Sequence, residues 1–155
     1  QVDRLDVTAH GAGWSPDGER VFVTTAEGRV GLLDARTWRW VTEASGAQPF
    51  AGGTVDFSSD GRRVVTLADG RVGLFDGRTA EFLGSVTVGD DGIADFTDDG
   101  HTVVIAVNSG RVLTWKLDPA SWLEKACRMA GRTLTEQEWR EHLPDRDHVA
   151  ACPGS

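Results

Sequence analysis

Phe57-Ser-Ser-Asp-Gly61, then an apolar strand, then Gly70-Arg-Val-Gly-Leu-Phe-Asp76: this stretch decides the fold, because the chain repeats it on both sides. The upstream copy runs from Trp14-Ser-Pro-Asp-Gly18 to Gly28-Arg-Val-Gly-Leu-Leu-Asp34. The downstream copy runs from Phe96-Thr-Asp-Asp-Gly100 to Gly110-Arg-Val-Leu-Thr-Trp-Lys116. The Gly-Arg-Val triplets stand 42 residues apart (70 − 28) and then 40 (110 − 70). A period near 40 with several short strands in each copy means stacked sheets, each burying its faces on its neighbours.

Turn chemistry and alternation divide each copy into strands a to d. In the first copy they are 8–15, 20–26, 29–34 and 38–43. In the second they are 54–58, 63–68, 71–76 and 81–88. The third has only 93–97, 102–107 and 111–117. Val21 and Val23 alternate with Phe22 and Thr24, as packed strands do. Asp-Gly at 17–18, 60–61 and 99–100 joins strand a to b. Glu27-Gly28, Asp69-Gly70 and Ser109-Gly110 join b to c. Asp binds the backbone two residues on, and Gly supplies positive φ. The expectation is an all-β chain of about three four-stranded antiparallel blades over residues 1–117, with repeats at about 8–50, 51–91 and 92–117.

These residues resemble a WD-repeat β-propeller in a degenerate form. The Phe-Ser-x-Asp-Gly turn, the x-Gly-x-Val turn and the Leu-Phe-Asp strand end carry the likeness, which covers residues 8 to about 117. The dipeptide that names the family falls at Leu33-Asp34, Phe75-Asp76 and Trp115-Lys116, none of them Trp-Asp. The Gly-His element is matched loosely by Ala9-His10. The resemblance implies a ring, yet propellers hold about 4–8 blades and three cannot close one. The expectation is therefore a fragment of a longer propeller, or a homo-oligomer. Residues 1–7 or 148–152 are the candidates for the missing fourth strand.

From Asp118 the pattern becomes helical and gives a short C-terminal tail, 118–155. Asp118 caps a helix with Pro119 at its first position. Trp122, Leu123, Ala126, Met129 and Ala130 share one face, and Gly131 ends it. Thr135-Glu-Gln-Glu138 is a capping box, and Pro144 stops the second helix. The tail is similar to the C-terminal tails of bacterial WD-repeat proteins that carry a nucleotide-binding switch of the STAND type, a protease or a kinase upstream. That resemblance implies the end of a larger cytoplasmic signalling protein, whose upstream domains, or another protein, would be the partner.

Composition bounds the rest. The 155 residues include 6 Trp and 6 Phe, enough for a core, and the net charge is −8. An acidic chain opposes binding to nucleic acid and anionic membrane. No stretch nears the roughly 20 apolar residues of a membrane span.

Cys127 and Cys152 are the two cysteines, with 24 residues between them. They form either a disulfide or a pair of reduced thiols, and their spacing with His142 and His148 fits no usual zinc pattern. Asp90, Asp91, Asp95, Asp98 and Asp99 lack the order of a calcium loop and read as turn acids. His10 has no nucleophile motif beside it. Catalytic, cofactor and metal sites are therefore not expected. Trp38 and Trp40 lie on one side of the predicted strand d, as a packed pair or a surface for a partner. The turns at Asp17, Asp60 and Asp99 line one rim. The expected function is a non-enzymatic protein-interaction scaffold. The alternative is a small-ligand or carbohydrate-binding module that stacks its ligand on the two tryptophans.

Overall fold

A computed structural model describes residues 9–44, 53–149 and 152. Residues 1–7, proposed above as an exchanged strand, lie outside the described residues, as do Ala150 and Ala151 of the rival segment. The chain divides into two compact units, with the break between Trp115 and Lys116.

The first unit is three sheets. Blade 1 comprises β1 (Ala9–Trp14), β2 (Arg20–Thr25), β3 (Val30–Asp34) and β4 (Trp40–Ala44), paired in that order. Blade 2 repeats this with β5 (Thr54–Phe57), β6 (Arg63–Ala68), β7 (Arg71–Asp76) and β8 (Phe82–Thr87). Blade 3 has β9 (Gly92–Phe96), β10 (Thr102–Val107) and β11 (Val112–Lys116), and no fourth strand among the described residues.

A turn that the repeat reading passed over explains the fourth strands of blades 1 and 2. In Asp34-Ala-Arg-Thr37 the Asp34 Oδ1 accepts from the amides of Arg36 (3.0 Å) and Thr37 (2.7 Å) and from the Thr37 hydroxyl (2.9 Å). Asp76-Gly-Arg-Thr79 does the same at 2.8, 2.9 and 3.1 Å. The amides of Trp38 and Ala80 then bond back to the carbonyls of Asp34 and Asp76, at 2.8 and 2.9 Å. Those two residues are left-handed, at φ 56° and 59°, and this reverses the chain into strand d. In blade 3 Lys116 holds the place of Asp34 and Asp76 in the repeat, and the next acid is Asp118, two residues on. It accepts from Ala120 and Ser121, and the Trp122 amide reaches its carbonyl at 3.3 Å. Here Pro119 and good helix formers follow, so the turn at Asp118 continues as α1 (Pro119–Ala130). After β11 the chain therefore enters a helix, where after β3 and β7 it enters strand d.

The blades stack through alternate faces of their strands. Phe22, Val30 and Leu32 of blade 1 meet Phe57, Val64, Phe75 and Ala80 of blade 2. The Phe22 ring lies 6.4 Å from Phe57, edge to face, and 5.4 Å from Phe75. Val65 and Leu67 turn to the other face of β6, against which β9 packs. Strands a lie innermost, with β1 beside β5 and β5 beside β9. They approach closely because β1 carries glycines. A Cβ on Gly11 would stand 2.3 Å from the Gly53 carbonyl oxygen, and one on Gly13 would stand 2.9 Å from the Val55 carbonyl oxygen. Gly11→Val should force β1 from β5 and cost about 1–3 kcal/mol. Urea unfolding checks this, and an unchanged midpoint would show that the strands can spread freely.

The second unit holds α1 and α2 (Glu136–His142), with no buried residue in either helix. Gly131 at φ 72° closes α1, its amide on the Cys127 carbonyl at 2.8 Å. Thr135 and Glu138 form the capping box, and Arg132 grips Glu138 through two bonds of 2.7 Å. The Trp139 ring stands edge-on to His148 at 5.4 Å and donates its N–H to the Arg146 carbonyl at 2.8 Å. The predicted apolar face of α1 is open, with Leu123 46% and Met129 80% exposed.

Candidate functional site

The three turns between strands a and b form one rim, each braced by the same internal bonds. In the first, the Ser15 hydroxyl donates to Asp17 Oδ1 (2.6 Å) and accepts from the Arg20 amide (2.9 Å), while Asp17 Oδ1 accepts from the Glu19 amide (2.9 Å). Ser58, Asp60, Arg62 and Arg63 repeat this. In the third turn Thr97 donates to Asp99 at 2.6 Å, and Asp99 accepts from the His101 and Thr102 amides at 2.7 and 2.9 Å. Ser or Thr two residues before the Asp is the signal, and only the Asp was singled out from sequence. The turns touch their neighbours. A Cβ on Gly61 would meet Pro16 at 3.4 Å, and Ser59 donates to the Asp98 carbonyl at 3.3 Å.

This bonding holds the rim acids ionised. The Ser15 hydroxyl bond lowers Asp17, the Arg62 amide and then the Ser58 hydroxyl lower Asp60, and the Thr97 hydroxyl and then the His101 amide bring Asp99 down to about 2. A carboxyl whose folded pKa lies below its unfolded value, about 3.9 for Asp, stabilises the fold fully above that value. It loses this as pH falls through the folded pKa. The Asp99 share of stability should therefore disappear between about pH 4 and about pH 2. Thermal melts across that window test this: Asp99→Asn should flatten the acid loss, and an identical pH profile in the variant would refute it.

The opposite rim carries the b–c turns. Asp91 accepts from the Gly70 amide (3.0 Å) and Asp90 from the Ser109 amide (2.8 Å), so these acids tie blade linkers to turns. Asp56 accepts from the Phe96 amide at 2.8 Å. Burial, and then the Asp56 charge, push Asp95 up. His10 is exposed and lines a shallow cleft of about 390 Å³ with Gly53, Leu67, Asp69, Asp91 and Gly92. Among the described residues, no three His, Cys, Asp or Glu gather as metal ligands.

Trp40 lies in β4 and Trp38 just before it; Trp38 meets Trp14, which stands opposite Val21, and Trp40 packs on Val21, so both are on one side of blade 1. Trp38 precedes β4 in the left-handed position that the Asp34 turn requires, and its ring stands edge-on to Trp14 at 5.9 Å. Trp40 lies half-buried against Val21, Val23 and Leu33, where Gly31 makes room for its ring. The exposed pair is Trp14 and Trp38, at 57% and 39%. In the tail, Cys127 and Cys152 form a disulfide with Cα atoms 5.4 Å apart, and Thr133 Oγ1 bonds the Cys152 amide at 3.1 Å.

No family model matches the sequence, and no curated protein matches it. Solved structures do match. The WD40 repeats of RRP9 are 14% identical with a TM-score of 0.62, over 74% of this chain and 37% of that one. The beta-propeller domain of Cps50 (Swd1) from Myceliophteria thermophila has the same identity and coverage at a TM-score of 0.63. U3-55K is 12% identical at 0.52, over 74% of this chain and 41% of that one. At such identities the likeness speaks for the fold alone: the three sheets are β-propeller blades. The chain spans about two-fifths of the length of the propellers it matches.

Proposed function

We propose that this chain is a non-enzymatic protein-interaction scaffold, the partner-binding or sensing part of a larger bacterial signalling protein in the cytoplasm. The observation that carries the reading is the a–b rim. Its three turns are braced from within and against one another, so a partner meets preset groups at little ordering cost. Asp17, Asp60 and Asp99 remain ionised there and the chain carries −8, which favours a basic protein surface over nucleic acid or anionic lipid. Among the described residues no helix is long and apolar enough to cross a membrane. A role in restraining an upstream switch rests on likeness alone.

Affinity chromatography on the immobilised chain tests this, beside the triple variant Asp17→Asn, Asp60→Asn, Asp99→Asn. Asn keeps the turn acceptor and removes the charge. A basic protein held by the first and released by the second is expected; equal retention would overturn the rim. Glycan binding that quenches tryptophan fluorescence would favour the alternative, a carbohydrate-binding module that stacks its ligand on Trp38 and Trp40.

A further inference from the structure

The tail is held by a bond that cellular thiols can reach. Cys127 and Cys152 form a disulfide with Cα atoms 5.4 Å apart. The loop it closes contains α2 and none of the blade strands, so opening it touches no strand pairing.

The surroundings suit the bond to opening. Neither helix buries a residue, and both cysteines are only half-buried. Sealed structural disulfides resist the glutathione pool, whereas accessible ones exchange. The other contacts inside the loop include the Arg132–Glu138 pair, whose side chains are 55% and 34% exposed, and such pairs stabilise weakly. The redox state of two sulfurs therefore sets much of the order of the tail.

A further contact suits the bond to closing again. The Thr133 hydroxyl accepts from the Cys152 amide at 3.1 Å and donates to the Cys152 carbonyl at 3.3 Å. Thr133 stands six residues after Cys127 (133 − 127). These bonds involve neither sulfur. In the reduced chain they bias Cys152 toward the end of α1, where Cys127 lies, and so raise the effective concentration of one thiol at the other.

We infer that Cys127 and Cys152 form a reversible thiol–disulfide switch, which orders the tail when oxidised and loosens it when reduced, with protein dithiols and glutathione disulfide as its reaction partners. The inference rests on the cytoplasmic placement proposed above, because disulfides in that compartment are usually transient and redox-sensing. In opening, a thiolate of the dithiol attacks one sulfur, the Cys127–Cys152 bond breaks, and the other cysteine leaves as a thiolate and takes a proton. The second thiol of the reductant then displaces the first cysteine. Two electrons and two protons pass to the tail, and the reductant closes its own disulfide. Closing runs the same exchange backwards, with glutathione disulfide reduced to two glutathione thiols.

Reduced thioredoxin, added to the native chain, should expose both cysteines to alkylation and Arg128, Arg132 and Arg140 to trypsin. Glutathione disulfide should restore both protections. Thr133→Val should slow closure about fivefold, the weight of one hydrogen bond, and Thr133→Ser should restore the rate. In urea all three chains should close alike. A bond that thioredoxin leaves intact, thiols that do not reclose, or closure indifferent to Thr133 would each overturn the switch. Native protein recovered from its host with thiols trapped at lysis reads the placement separately. A pool found fully oxidised, while the purified chain still cycles, would overturn the cytoplasmic reading and with it the use of the switch in the cell.

Discussion

Phe22→Ala is expected to lower the stability of the blades by about 3–5 kcal/mol, the usual cost of emptying a buried aromatic site. Phe22 is fully buried, and its ring lies 5.4 Å from Phe75 and 6.4 Å from Phe57. It joins two sheets, so its removal leaves a void between blades that neither backbone can close without breaking register. A domain's whole stability is about 5–15 kcal/mol, so the variant should approach the edge of folding. Phe82→Ala is the control. Phe82 is 39% exposed and stands 5.6 Å from the same Phe75. Its loss should cost less, about 1–2 kcal/mol. Urea midpoints read both, and equal losses would show that the blade interface is not the principal core.

The second large effect concerns the tail. Cys127→Ser with Cys152→Ser should remove about 3 kcal/mol from it, the chain-entropy value for a loop of 25 residues. Neither helix buries a residue, and so short a unit has little core to replace the cross-link. What remains includes capping, the Arg132–Glu138 pair, the Trp139–His148 contact and the Trp139 bond to the Arg146 carbonyl. Glu138 is held at a pKa of about 2 by the Arg132 bonds first and Thr135 next, but both partners are solvent-facing and such pairs stabilise weakly. The double variant should lose helical signal, and trypsin should cut faster at Arg128, Arg132 and Arg140. Reductant should reproduce this in the parent chain. A tail that stays protected in both would show that capping suffices.

Strands and a–b turns were legible because both depend on neighbours in sequence. Alternation at Val21 to Thr24 and Asp-Gly at fixed offsets placed every described strand within two residues. The helix ends at Gly131 and at the Thr135 capping box were legible for the same reason. The start of β4 at Trp40 instead of Trp38 was not legible, because a left-handed residue interrupts the alternation, and only the Asp34 turn bonds show where. Trp14 was passed over because its neighbour Trp38 lies 24 positions away (38 − 14).

By itself, the sequence determined the repeat, the blade fold and the helix start at Asp118, since each rests on local turn chemistry or on a period. Only the tertiary structure decided which apolar residues are satisfied. Phe57 and Trp14 hold the same place in the repeat, yet Phe57 is 7% exposed and Trp14 57%. Burial depends on what stands opposite, blade 1 for Phe57 and Trp40 of the same blade for Val21 and Leu33, and no local pattern carries that information.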